Sequence, residues 1–255
     1  MTVYELNKYM NEKIPRELSC SWDNDGLMCC PDGNREVKKV LFCMDVTPEA
    51  IDYAIENGYD LIISHHPLIF KGVKSVSGDF GIPSRIIKLI KNDVSVMSFH
   101  TRFDAVDGGV NDALAELFEL TDVEKVLCDG IEMMRVGNLK EEISIEEFVA
   151  LVKEKLGCDY LNFASDSGKV YRLAVLGGGG GSYIRDAHFA GADTYLSGEI
   201  GYHNLTDCKD NHINLVEAGH YFTEYPSLQN LAKFVLNADA SIECGFYQTN
   251  VIKQI

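Results

Sequence analysis

Apolar residues at Val3, Leu6, Met10 and Ile14 fall three or four apart, which predicts an amphipathic helix over residues 2–14. A polar, turn-rich loop follows, Ser21-Trp-Asp-Asn-Asp-Gly26. Val40–Met44 is an uninterrupted apolar run and predicts a buried strand. Thr47-Pro48-Glu49 then opens a helix with proline in its first turn, and the helix runs to about Asn57-Gly58. Leu61–Ser64 predicts a second strand, with His65-His66-Pro67 at its C-terminal end. A helix through Ile86–Ile90, a strand over Val94–Phe99, the segment His100–Asp104 and a helix across Asn111–Leu120 complete this half. Strands alternating with helices at this spacing imply βαβ crossovers and a largely parallel sheet.

Residues 126–170 break the rhythm. They are rich in Glu and Lys, and their clearest element is a helix over Ser144–Leu156 opening on a Ser-x-x-Glu capping box, Ser144 to Glu147. From Arg172 the alternation resumes: strand Leu173–Leu176, the glycine run 177–181, helix Ile184–Phe189, strands Thr194–Ser197 and Ile213–Glu217, and helix Leu228–Leu236. The two halves match each other. Asp52–Ser64 and Asp186–Ser197 each give a helix end, a glycine, an aspartate and a short strand ending in serine. The next strand of each half ends in a histidine with a carboxylate four residues on, His100 with Asp104 and His220 with Glu224. The expected fold is therefore α/β, with two pseudo-repeated lobes of largely parallel sheet, residues 1–125 and 171–255, joined by a connecting segment at 126–170.

Composition narrows the function. Lys and Arg total 23 against 39 Asp and Glu, a net charge of −16, which repels a phosphate backbone and suits cations; nucleic acid is an improbable partner. No apolar run reaches the roughly 20 residues of a membrane span, and Met1-Thr-Val-Tyr-Glu carries no secretory pattern. A cytoplasmic location is expected. The eight cysteines are scattered without a C-x-x-C, so reduced, mostly buried thiols are expected rather than disulfides or a cysteine zinc site.

In parallel sheets, ligands gather at the C-terminal ends of strands. Three such ends carry candidates: His65-His66, His100/Asp104 and His220/Glu224. Imidazole nitrogen with carboxylate oxygen suits Zn, Fe, Mn, Co or Ni, and a carboxylate can bridge two ions about 3.5–4 Å apart. Taken alone, His-His-Pro is better read as a capped turn, and a His-x-x-x-Asp pair as a hydrogen-bonded turn. Their conjunction favours metal, because four of the seven histidines stand at strand ends. His100 is either a ligand or a neighbour that orients one. His203 either faces the crevice or lies on a surface loop, and His188 and His212 take no role. The glycine run is better read as close packing than as a phosphate loop. Trp22 either lines the crevice or packs in a core.

Taken together, Trp22-x-Asn24-x-Gly26, Ser64-His-His-Pro67, His100-Thr-x-x-Asp104, Gly108-Gly-Val-Asn-Asp112, Gly198-Glu, Tyr202-His203 and Glu217-Ala-Gly-His-x-x-Thr-Glu224 resemble the GTP cyclohydrolase 1 type 2 homologue family, the NIF-three-like dinuclear-metal proteins. The resemblance runs nearly end to end and matches the short form of the family. It implies two α/β lobes sharing a dinuclear centre, in a ring-shaped homohexamer with the metals facing its cavity. The implied ligands are His65, His66, Asp104, His220 and Glu224, with Glu224 bridging two divalent ions. His100 or His203 would move protons. The implied activity is metal-dependent hydrolysis of a small, phosphorylated substrate, GTP by the family name. The alternatives are a non-catalytic metal-binding or interaction scaffold and, on the glycine run alone, a nucleotide-binding oxidoreductase. Arg102, inside the His100–Asp104 motif, is a candidate anion contact.

Overall fold

The structure, a computed structural model, describes residues 1–78 and 80–252. In chain order its elements are α1 (Val3–Lys13), β1 (Gly26–Cys29), β2 (Lys39–Cys43), α2 (Pro48–Glu56), β3 (Leu61–Ser64), α3 (Gly81–Lys91), β4 (Ser95–Ser98) and α4 (Thr101–Ala105). Then follow α5 (Val110–Leu117), β5 (Thr121–Cys128), β6 (Ile131–Ser144), α6 (Ile145–Leu156), β7 (Asn162–Ala164), β8 (Lys169–Gly179) and α7 (Ile184–Phe189). The chain ends with β9 (Thr194–Glu199), α8 (Tyr202–Thr206), β10 (Asn214–Glu217), α9 (His220–Glu224), α10 (Leu228–Ala238) and β11 (Glu243–Phe246).

Contacts group these elements into two units, Met1–Phe103 with Leu228–Val251, and Asp104–Ser227 with Ile252. The first holds a sheet ordered β1-β4-β3-β2-β11, in which β4, β3, β2 and β11 run parallel and β1 is antiparallel at the edge. The second holds a sheet ordered β5-β6-β8-β9-β10-β7, parallel through β8, β9 and β10 with antiparallel strands on either side. The expected α/β class with parallel sheets is therefore observed.

Local chemistry explains the helix ends. Thr2 with Glu5 and Ser144 with Glu147 form reciprocal capping boxes at α1 and α6. Thr47 caps α2 ahead of Pro48, and Gly157 closes α6 in the left-handed conformation. β3 and β4 are buried at every position, as parallel strands covered on both faces must be. The first unit's core packs Leu41, Ile51, Ile62, Leu89 and Val96 together. The second packs Leu114, Phe148, Val152, Leu173, Leu196 and Val216. Each such side chain contributes about 1.5–3 kcal/mol on full burial.

The internal repeat is real at the level of hydrogen bonds. Asp60, just before β3, accepts from the backbone N–H groups of Lys38 and Lys39 at 2.9 and 3.1 Å. Asp193, just before β9, accepts from Tyr171 and Arg172 at 3.0 and 2.7 Å. In both cases one carboxylate ties the start of the middle strand to the start of the preceding one. The backbones repeat the pattern: Asp60 N–H donates to Lys39 and Asp193 N–H to Arg172, each at 3.0 Å. β2-β3-β4 and β8-β9-β10 are thus the same device built twice.

Residues 126–170 differ from the expected connecting segment. β6 is an interior strand between β5 and β8, and Phe148 and Val152 of α6 are fully buried in the second core. The pattern is hard to read because edge strand β5 is exposed along most of its length, so its alternation is masked by polar residues on both faces. The contacts also place the second boundary before α10, returning α10 and β11 to the first unit. The last three residues of the expected 171–255 lobe lie outside those described. All eight cysteines are thiols, six of them buried. Burial pushes the Cys29 thiol up to about 11 and Cys128 to about 12.

Because each aspartate satisfies two backbone donors, Asp60→Ala and Asp193→Ala are each expected to lower stability by about 1.5–3 kcal/mol. Urea denaturation of the two variants measures this. A midpoint unchanged in either one contradicts the pinning role.

Candidate metal centre

The first unit supplies three histidines from neighbouring parallel strands. β3 ends at Ser64, whose hydroxyl donates to the His66 carbonyl at 2.7 Å and lies 2.8 Å from Ser98 Oγ of β4. The turn after β3 is thereby fixed. One ring nitrogen from each of His65, His66 and His100 falls within 4.8 Å of the others. His65 is fully buried, and its Nδ1 lies 2.9 Å from the Phe99 carbonyl. A carbonyl can only accept, so Nδ1 carries the proton and Nε2 carries the lone pair. His66 Nδ1 lies 2.9 Å from Asp45 Oδ1, and His100 Nδ1 2.8 Å from Asp23 Oδ1. All three imidazoles therefore present Nε2 as a metal-binding atom.

Asp23 is itself held. Its other oxygen accepts from the Thr101 N–H at 3.1 Å and the Thr101 hydroxyl at 2.6 Å. Burial alone would raise its carboxyl, but His100 and Thr101 override that and bring it down to about 2. Asp25, two residues on, pairs with Arg102 Nε at 2.8 Å.

The second unit repeats the arrangement with different residues. α9 follows β10 as α4 follows β4. His220 Nδ1 lies 3.2 Å from Glu199 Oε1, at the end of β9, and its Nε2 lies 3.2 Å from Glu224 Oε1. Asp104 and Glu224 bring carboxylate oxygens within 4.8 Å of each other. The side chain of fully buried Asn111 donates to the Asp104 carbonyl at 3.0 Å and accepts from Gly177 N–H at 2.8 Å. The glycine run explains itself here. A Cβ at Gly178, whose φ is +68°, would come 2.2 Å from Glu224 Oε1 and 3.2 Å from His220 Nε2.

The phosphate-loop reading of the run fails for a second reason, since three of its amides already donate within the protein. Gly177 donates to Asn111, Gly178 to Thr223 Oγ1 at 3.1 Å, and Gly180 to the Glu199 carbonyl at 3.1 Å. Arg102 is no anion contact either. It is fully buried, donating to Asp25, Asn11 Oδ1 and the Ile14 carbonyl, with its guanidinium over the Phe99 ring. Trp22 is 61% exposed and does not pack in a core. His203, on the exposed helix α8, lies against Tyr202 and joins none of the ligand groups among the described residues.

The donor set fits a divalent transition metal: imidazole Nε2 atoms with Nδ1 held by an acceptor, beside carboxylates. Among the described residues these His and Glu/Asp groups can hold a metal ion. Asp23, Asp45, Glu199 and Asn111 were not visible as site residues in the sequence. Asn111, Glu199 and Asp23 stood within the motifs Gly108-Gly-Val-Asn-Asp112, Gly198-Glu and Trp22-x-Asn24-x-Gly26, none with an assigned role.

The model of the Duf34/NIF3 family (NGG1p interacting factor 3) matches residues 1–253. The chain belongs to this family. A relative in Clostridium perfringens, named GTP cyclohydrolase 1 type 2 homolog, is 33% identical over 92% of this chain and 91% of its own length. A protein of the same name in Methanocaldococcus jannaschii is 30% identical over 92% and 95%. Among solved structures, the Staphylococcus aureus hypothetical protein SA1388 aligns with a TM-score of 0.92 at 28% identity, covering 100% of this chain and 99% of that one. Reduced HcgD from Methanocaldococcus jannaschii aligns at 0.82 and 29%, covering 96% and 97%. The similarity to Duf34/NIF3 proteins is thus end to end. Among the described residues no helix is long and apolar enough to cross a membrane.

If Asp45 and Glu199 fix the tautomers of His66 and His220, then Asp45→Ala and Glu199→Ala each weaken metal retention by about 10–100-fold. Competition against a chelator, with circular dichroism confirming the fold, measures this. Affinity equal to the unmodified protein's in both variants contradicts the orienting role.

Proposed function

We propose that this Duf34/NIF3 protein is a metal-dependent hydrolase acting on a nucleotide or phosphoester through a dinuclear centre. His65, His66, Asp104, His220 and Glu224 would hold the ions, the set that the family resemblance implies. The observation that supports this reading is the anchoring through Nδ1 of the three ligand imidazoles, His65, His66 and His220, by Phe99, Asp45 and Glu199. Histidines that merely pack or cap have no reason to share one tautomer; metal ligands do. Five ligands exceed one open tetrahedral site and suit two ions of Zn, Fe, Mn, Co or Ni.

When bound, such ions supply Lewis acidity and a water that ionises near neutral pH. The chain's own residues supply the rest. His100 accepts a proton at Nε2, and Asp23 stabilises the resulting imidazolium, as a carboxylate does for any general-base histidine. Opening of the GTP ring, which the names of the relatives suggest, is one reaction of this class, and phosphoester hydrolysis is another. The resemblance also supports a homohexameric ring.

The exposure of His203, away from the ligand groups, favours a second reading, a metal-binding scaffold without turnover. That leaves His100 as the remaining proton carrier of the two considered. Turnover decides between them. Metal-loaded protein is expected to hydrolyse GTP or an aryl phosphoester, with activity lost on chelation and restored by metal. His100→Ala is expected to lower kcat by about 10²–10⁴. Loaded protein inert toward both substrate classes contradicts the hydrolase.

A further inference from the structure

The first unit carries an aromatic cluster that metal binding does not use. Trp22 is 61% exposed and Phe70 45% exposed. Their ring centroids lie 6.0 Å apart, and each lies close to His100, at 6.1 and 6.2 Å. The three interplanar angles are 71°, 72° and 87°, so none of these rings hides a neighbour's face by parallel stacking. Single exposed aromatics are ordinary. Two together beside a histidine cluster are not, because each leaves a large apolar face in water.

The pair is also held in place. Asn24 donates to the Ile69 carbonyl at 2.5 Å, tying the Trp22 loop to the residue before Phe70. Asp23, next to Trp22, grips His100 and Thr101. Rings fixed before binding lose little entropy on it. Phe70 opens an exposed stretch with Lys71 and Lys74, and eight residues separate Phe70 from the next acid in the sequence, Asp79, in a chain of net charge −16. Local cations in an otherwise acidic chain favour an anionic ligand.

We propose that Trp22 and Phe70 form the base-recognition element for a nucleotide-type ligand, a planar nitrogen heterocycle carrying an anionic group. The ring packs on Trp22 and Phe70 beside His100, and the anionic end lies toward Lys71 and Lys74. Stacking reads a base by its face and tolerates changes at its edge, so purines are bound with little discrimination. This assignment rests on the metal-site reading only for the ligand's chemical fate, since binding of the ring requires no metal.

Trp22 is the only tryptophan of the chain, so its emission reports the site directly. The full chain, metal-loaded and chelator-treated, is titrated with guanosine 5′-monophosphate, adenosine 5′-monophosphate and ribose 5-phosphate. Quenching by both purine nucleotides and not by ribose 5-phosphate, in both forms of the protein, is expected. By calorimetry Trp22→Ala and Phe70→Ala each weaken guanosine 5′-monophosphate binding about tenfold or more. Trp22→Phe restores most of that loss, and metal content in all three variants stays that of the unmodified protein. Quenching in a protein that cannot be loaded with metal supports the ring site while removing the hydrolase. Emission unmoved by either nucleotide, or Trp22→Ala binding as the unmodified protein does, overturns the proposal. So does emission that follows protein concentration instead of ligand, which marks a contact between copies.

Discussion

The hydrogen bond at Nδ1 of each strand-end histidine is the interaction on which the candidate centre depends. An imidazole buried as His65 is cannot carry charge cheaply, and a neutral one has two tautomers of nearly equal energy. The Phe99 carbonyl removes that ambiguity for His65, and Asp45 and Asp23 remove it for His66 and His100. The lone pair is then directed outward from a rigid strand end. The acceptors can do this because they lie at the ends of the adjacent parallel strands, Asp45 after β2 and Phe99 after β4. Change the register of β3 by one residue and its histidines exchange faces.

Register is in turn set by the duplicated aspartate pin. Asp60 fixes β3 against β2, and Asp193 fixes β9 against β8, through the same pair of backbone donors. The two copies carry different side chains at the opposite ends of the strands. After β3 the first copy places two histidines, whereas after β9 the second places Gly198 and Glu199, with Glu199 beside His220. At the third strand both copies keep a histidine and a carboxylate four residues on. A conserved scaffold with varied strand ends is how parallel sheets generally acquire sites. The glycine run belongs to this logic. At Gly178 the second unit needs backbone where His220 and Glu224 crowd in, and any side chain would displace Glu224.

Much of this was legible in the sequence for a physical reason. Parallel strands buried on both faces are unbroken apolar runs such as Leu61–Ile63, so polar residues at their ends stand out against them. The capping box at Ser144 and the proline start of α2 were legible because caps are local chemistry. The orienting residues were not. Asp45 and Glu199 gain their roles only from which strands become neighbours, and no local pattern encodes that. Trp22 shows the same limit, since its exposure follows from a turn pinned by Asn24 to a segment 45 residues away. The strands β5 and β6 were missed because an exposed antiparallel edge strand and its neighbour of mixed burial carry weak periodicity.

Elemental analysis of untagged full-length protein, purified without chelators, bears most directly on the centre. It is made beside an Asp104→Ala/Glu224→Ala double variant. About two transition-metal equivalents per chain, lost in the variant, are expected for a dinuclear site. Protein that stays metal-free after addition of Zn, Mn, Fe or Co contradicts it, and the histidines would then be structural.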